Sequence, residues 1–145
     1  MDTFERQVRA TVIQTLRDTG EAPTAAGVGS MLGVEESRVS TALRSLADEH
    51  RLVLVPGTDR VMMAHPFSGV ASDFLVTVGA RTWFANCVWD GLSILALLGD
   101  GKLETHSPAT GEPITLTACD GVVQGGAIVH FLVPARHFWD DIVFT

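Results

Sequence analysis

The chain has 145 residues, of which 46% are apolar, and its formal net charge is −7. This length suits one compact domain or two small ones that share a core. No apolar run reaches the 18 residues of a membrane-spanning helix, and the charged N-terminus lacks the apolar stretch of a signal peptide. We therefore expect a globular cytoplasmic protein with no membrane partner.

The charges and the cysteines exclude several classes of function. Residues 1–65 carry nine acidic and seven basic residues, and residues 66–145 carry eight acidic and three basic residues. Neither part has the basic excess that phosphate binding requires, which argues against a nucleic-acid partner. The two cysteines, Cys87 and Cys119, form no C-x-x-C pair, so a zinc knuckle or a thioredoxin motif is excluded. No glycine-rich phosphate loop is present either, and we expect no cofactor.

The first part of the chain has the pattern of three helices followed by a β-hairpin. Apolar residues recur with helical spacing in three segments, residues 4–17, 24–32 and 35–50. Two short apolar segments follow, residues 52–55 and 61–63, which are predicted strands. This order predicts a winged-helix-like domain over residues 1–66. Its third helix would read DNA, but it exposes mainly acidic residues, so we favour a support domain over a DNA-binding one.

Residues 67–145 are predicted to form a second domain, joined to the first by a link at residues 65–69. An apolar stretch over residues 84–98 predicts a buried helix. The predicted strands cover residues 74–78, 103–106, 114–119, 127–133 and 142–144, with a short helical turn at residues 135–139. We therefore expect an α+β protein in which a small mixed or antiparallel sheet packs against the buried helix.

Cys87 and Asp90 lie three residues apart in this predicted helix, so they would share one face about one turn apart. A thiolate is a soft metal ligand and a nucleophile, and a carboxyl group can carry a proton. Burying both side by side costs stability that packing does not explain, which makes the pair the candidate site. From the residues alone, Cys87 could also be a small core residue, and Asp90 could bond to a backbone group or to Arg81.

Several stretches of the chain resemble the organomercurial (alkylmercury) lyases. The family's active-site helix is matched by Phe84-Ala-Asn-Cys-Val-Trp-Asp-Gly-Leu92 and by Ala96-Leu-Leu-Gly99. Residues 105–117 resemble its hairpin, residues 127–134 resemble its central strand, and the N-terminal layout resembles its support domain. The resemblance implies that Cys87 holds mercury as a thiolate while Asp90 protonates the carbon that leaves, so that both contact the metal of the substrate.

The family's second cysteine has no counterpart in this sequence. The corresponding segment is Phe138-Trp-Asp-Asp-Ile-Val-Phe-Thr145, in which Trp139 takes the place of the cysteine. Indole nitrogen only donates hydrogen bonds and cannot replace a thiolate ligand. Either the site performs different chemistry or another ligand serves, and Cys119 could supply it if it is not simply packed in the sheet.

The pocket around the pair is predicted to include three tryptophans, a cysteine and a histidine, namely Trp83, Trp89, Cys119, His130 and Trp139. A relative repurposed to another small-molecule lyase reaction fits the same residues. Two alternatives belong to other classes: a non-catalytic protein that binds mercury or copper, and a winged-helix DNA-binding regulator. The apolar end of the chain, if exposed as a strand edge, would favour a homodimer.

Overall fold

A computed structural model of the chain describes residues 1–143. Three helices come first, and they are α1 (Thr3–Thr19), α2 (Ala25–Leu32) and α3 (Glu36–Asp48). A three-stranded sheet follows, with the order β1-β2-β3, formed by β1 (Val53–Leu54), β2 (Val61–Ala64) and β3 (Phe67–Ser68). Both pairings in this sheet are antiparallel.

A five-stranded antiparallel sheet forms the second half, with the order β5-β4-β6-β7-β8. Its strands are β4 (Leu75–Val78), β5 (Arg81–Phe84), β6 (Gly101–His106), β7 (Pro113–Cys119) and β8 (Val122–Gln124). Helix α4 (Val88–Leu98) connects β5 to β6, and a 3-10 helix covers Ala135–Asp140. The predicted α+β class, with an antiparallel sheet and a helix against it, is confirmed.

The ends of the first helices follow from their local sequence. Asp2 accepts a hydrogen bond from Glu5 N at 2.8 Å while the Glu5 side chain accepts from Asp2 N, which forms a capping box at the start of α1. Gly20 ends α1 in the left-handed conformation, with φ 78°. Thr24 caps α2 by accepting from Gly27 N at 3.0 Å.

One buried core runs through both halves of the molecule. Its largest fully buried side chains come from α1, α2, α3, α4 and both sheets: Val8, Val12, Leu16, Val28, Val39, Leu43, Leu46, Phe67, Val76, Ile94 and Leu103. Trp83 links the halves further, because its indole Nε1 donates to Leu16 O at 3.1 Å and to Arg17 O at 3.0 Å. The division of the chain at residue 66 therefore stays a prediction, since packing is continuous across it.

The predicted link at residues 65–69 contains a strand. β3 pairs with β2 through Ala64 and Phe67, and Phe67 also forms an isolated bridge with Ala85. A strand of two residues carries no periodic signal, which explains why the sequence gives no indication of it. The helix predicted from residue 84 begins at Val88 instead, because Phe84 belongs to β5 and Ala85 N donates to Phe74 O at 2.9 Å.

The predicted strand at residues 127–133 is wrong, since this segment is irregular and mostly exposed. Ile128 is 95% exposed and Leu132 is 73% exposed. β8 already pairs with the edge of β7, and Gly125, with φ 153°, then turns the chain away from the sheet. Ile142 and Val143 lie in a turn, and the rest of the predicted final strand lies outside the described residues. The homodimer stays a prediction.

Within residues 1–143, no helix combines the length and the apolar character needed to cross a bilayer.

Candidate active site

Cys87 and Asp90 lie together at the N-terminal end of α4. Cys87 is the N-cap residue, and its Sγ accepts a hydrogen bond from Asp90 N at 3.5 Å. Asp90 is the third residue of the helix. The prediction that the two residues lie close together is confirmed. They meet because Cys87 caps the helix that contains Asp90, and not because both lie on one face of a continuous helix.

Both carboxylate oxygens of Asp90 are engaged by neighbouring side chains. His65 Nδ1 lies 2.6 Å from Asp90 Oδ1, and Asn86 Nδ2 donates to Asp90 Oδ2 at 2.7 Å. Asp90 is only 7% exposed, whereas the His65 side chain is 67% exposed and lies on the solvent side. The carboxyl group is therefore fixed in one orientation while its partner remains accessible.

Asn86 is held in place by a hydrogen bond to the backbone of β3. Its Nδ2 also donates to Phe67 O at 3.3 Å, whereas its Oδ1 is buried and has no hydrogen-bond partner among the described residues. A buried polar atom without a partner costs about 1–3 kcal/mol. The arrangement around Asp90 is thus not optimised for stability alone, which is typical of a functional site.

Burial raises the pKa of the Cys87 thiol, and the nearby Asp90 carboxylate raises it further. The backbone N–H groups of Asp90 and Trp89 act in the opposite direction, because they stabilise a thiolate at the helix N-terminus. The net effect is a pKa above the ordinary value, so Cys87 is a protonated thiol near neutral pH. A soft metal that binds Cys87 must therefore displace a proton.

The pair opens onto a cavity of about 910 Å³ between the N-terminal half and the last described segment. Most of its wall is apolar, and the wall includes four aromatic side chains, Trp89, Phe131, Phe138 and Trp139. Phe131 contacts Trp89 edge-on, with ring centroids 6.4 Å apart, and lies 5.7 Å from Phe138. Trp139 stacks on His50 at 4.3 Å with nearly parallel rings, which connects the 3-10 helix to the end of α3.

Two of the five predicted pocket residues, Trp89 and Trp139, line this cavity, and the other three do not. Trp83 is buried against the end of α1, and His130 is exposed in the irregular segment. Both placements follow from the fold, because β5 carries Trp83 inward and residues 127–133 do not join the sheet.

Cys119 lies at the opposite end of α4 from Cys87. The β6–β7 register pairs Gly101 with Ala118, which places Cys119 near the C-terminal end of the helix, about 16 Å of helix away. There it is exposed, and its Sγ lies within 4.8 Å of carboxylate oxygens of Asp100 and Asp120. Cys119 therefore does not complete a two-thiol site with Cys87.

Two residues at the site, His65 and Asn86, were not predicted from the sequence. Asn86 belongs to the motif that carries the family resemblance, so its position next to Cys87 was a usable signal. His65 lies 25 residues before Asp90 in a segment without periodicity, and only the fold brings them together.

A half-buried cysteine and a buried aspartate thus lie together at the head of a helix, in an α+β fold with an aromatic cavity. The family model for alkylmercury lyase, MerB, matches residues 67–145. Because the match covers more than half of the sequence, the chain belongs to the alkylmercury lyase family, which confirms the resemblance.

The chain is also similar to a solved structure, described as the crystal structure of the mercury-bound form of MerB2. The TM-score is 0.68 and the sequence identity is 24%, with 86% of this chain and 60% of that chain covered. The chain thus spans about three fifths of that protein's length, and at this identity the likeness shows the fold alone. No curated protein matches the chain in sequence.

Proposed function

We propose that the protein cleaves the carbon–mercury bond of organomercurials at Cys87 and Asp90. The observation that carries this proposal is the position of both groups on one cavity wall, with Cys87 capping the helix that contains Asp90. Membership of the alkylmercury lyase family supports it.

The proposed reaction starts from an organomercurial that already carries one thiolate from solution. Cys87 Sγ bonds to the mercury, and the proton that it loses passes to the Asp90 carboxylate. Asp90 then delivers that proton to the carbon, which keeps the electron pair of the breaking carbon–mercury bond. The products are a hydrocarbon and a mercury(II) ion held by Cys87 and the added thiolate, and Asp90 is again ionised.

The second thiolate comes from a thiol in solution rather than from the chain. Mercury(II) is a soft ion that prefers thiolate ligands. By the family resemblance, Trp139 takes the place of the second cysteine, and in the structure its ring stacks on His50. Cys119 lies at the far end of α4 and offers no alternative.

A second candidate function is mercury binding without cleavage. It is favoured by the presence of one thiol, Cys87, among the residues that line the cavity within residues 1–143. With a single protein thiolate, less electron density is pushed toward the carbon, so the bond would be weakened less.

The test is benzene release from phenylmercury in the presence of excess 2-mercaptoethanol. Both Cys87→Ala and Asp90→Asn are expected to lower the rate at least about 100-fold, because each removes a reacting group. Asp90→Asn keeps the size of the side chain and should still bind mercury at Cys87. Cys119→Ala is the matched control and should release benzene at the wild-type rate. Stoichiometric mercury binding at Cys87 with no benzene from the wild type would favour the second candidate and exclude the first.

A further inference from the structure

We infer that the cavity selects organomercurials that carry an anionic group, such as a carboxylate, on an aromatic body. This inference rests on the proposed function and names the substrate class of the same site. It comes from the distribution of charge around the cavity, which differs sharply from that of the chain as a whole.

Two arginines, Arg9 and Arg51, and two histidines, His50 and His65, line the cavity. Among the residues described, the acidic side chain on its wall is Asp90, whose two oxygens already accept hydrogen bonds. The chain has 17 acidic residues and ten lysines and arginines, whereas the described wall has one acidic residue and two arginines, so a basic wall is not a consequence of its composition. A wall of this sign attracts anions into a cavity with apolar surroundings.

The charges of the two arginines are little compensated by the protein. Arg9 Nε donates to Arg51 O at 3.3 Å, and within residues 1–143 no acidic side chain forms an ion pair with Arg9. Arg51 Nε lies 3.8 Å from Glu49, but the N-terminal ammonium of Met1 holds the same carboxylate at 2.7 and 2.8 Å. Guanidinium groups that keep free N–H donors bind carboxylates in a paired geometry.

A cluster of aromatic side chains on the cavity wall fits an aromatic ring. Trp89, Phe131 and Phe138 form a chain of edge-on and tilted contacts there, close to Cys87. Aromatic rings favour such offset and edge-on packing with a ligand ring. A suitable substrate would place its mercury at Cys87, its ring against the aromatic side chains and its anionic group toward Arg9 and Arg51.

The basic side chains all precede residue 67, where the match to the family model begins. The reacting pair, in contrast, lies inside the matched segment. The N-terminal half would therefore contribute substrate recognition to the site as well as support.

The test compares phenylmercury with 4-carboxyphenylmercury in the same excess of neutral 2-mercaptoethanol, so that the carboxylate is the only difference. Binding is measured by quenching of tryptophan fluorescence, because Trp89 and Trp139 line the cavity, and cleavage is measured by release of benzene or benzoate. We expect the carboxylated compound to bind about 3- to 10-fold more tightly, the range between an exposed ion pair and a charge-assisted hydrogen bond. The preference should shrink as salt is added.

Arg9→Gln and Arg51→Gln should each move the affinity ratio toward one. Arg44→Gln removes an exposed arginine of α3 that does not line the cavity, and it should keep the wild-type ratio. Because both compounds are tested on the same preparation, a partly unfolded variant lowers both signals and leaves the ratio unaffected.

Equal affinities for the two compounds in the wild type, or equal effects of Arg44→Gln and Arg9→Gln, would overturn the inference. If both compounds are cleaved with equal efficiency and bind equally, the proposed function stands and the inference fails. If neither is cleaved while the carboxylated compound binds more tightly and loses that advantage in Arg9→Gln, the anion preference stands and the proposed lyase activity fails.

Discussion

Asp90 depends on two neighbours for its orientation, and the more exposed of them is His65. An ionised carboxylate only accepts hydrogen bonds, so the 2.6 Å contact requires His65 Nδ1 to donate to Asp90 Oδ1. The contact with Oδ1 restrains the rotamer of Asp90. His65 is therefore a positioning residue for the proposed proton transfer.

Replacing His65 tests this role with two matched variants. His65→Leu removes the donor and should lower kcat for benzene release about 10- to 100-fold with a small change in KM, the usual cost of losing a group that orients a reacting residue. His65→Asn places an N–H donor near the position of Nδ1 and should recover most of the rate. The measurement is steady-state benzene release from phenylmercury, and equal losses in both variants would contradict the positioning role.

The sequence predicted that Cys87 and Asp90 lie together, but it did not predict their surroundings. Cys87 and Asp90 are close in the chain, so their spacing alone brings them together. His65 reaches Asp90 only because β3, which follows His65 in the chain, packs against α4, and no local pattern encodes that approach. The cavity wall is equally non-local, since it combines α1, the end of α3 and the last segment.

Helix α4 joins the site to the sheet, and a glycine permits its close approach to β6. A Cβ atom at Gly91 would lie 2.7 Å from both methyl carbons of Leu103, which is fully buried. A side chain at residue 91 would therefore require Leu103 or the helix to shift. This contact sets how Cys87 and Asp90 are placed relative to the second half.

Gly91→Ala should lower the free energy of unfolding by about 1–3 kcal/mol, because the added methyl group overpacks a core that cannot expand freely. Gly126→Ala is the control, since a Cβ atom there would meet nothing within 4 Å. Urea denaturation of the three proteins measures the difference. Equal stability of Gly91→Ala and the wild type would show that Leu103 moves aside at little cost.

The elements that the sequence predicted well have caps or clear alternation, and those that it missed have neither. α1 and α2 carry capping residues at their starts, and β7 alternates polar and apolar residues. The apolar run at residues 127–133 looks like a buried strand, but an apolar run does not reveal whether a sheet edge is free to receive it. Here β8 already occupies the edge beside β7.

The continuous core predicts that the molecule unfolds as one unit. Helices α1, α2 and α3 lie in the first half, whereas all three tryptophans lie between residues 83 and 139. Far-ultraviolet circular dichroism therefore reports mainly on the helices of the first half, and tryptophan fluorescence reports on the second half and on its contacts with the first. Their urea transitions should coincide, as expected for a two-state domain. Two separated midpoints would instead show that the halves are independent domains.

The cavity draws its candidate reacting groups and its basic wall from different stretches of the chain, with the start of α4 supplying the former and the first 65 residues the latter. Apart from His65, which contacts Asp90, the basic side chains make no recorded contact with Cys87 or Asp90 among the described residues, so substitutions of Arg9 and Arg51 should leave the geometry of the pair unchanged. During evolution, substitutions on α1 or at the end of α3 could change the substrate specificity of the cavity while Cys87 and Asp90 stay unchanged. For protein engineering, the cavity-lining positions on α1 and at the end of α3 could likewise be randomised while α4 is kept unchanged.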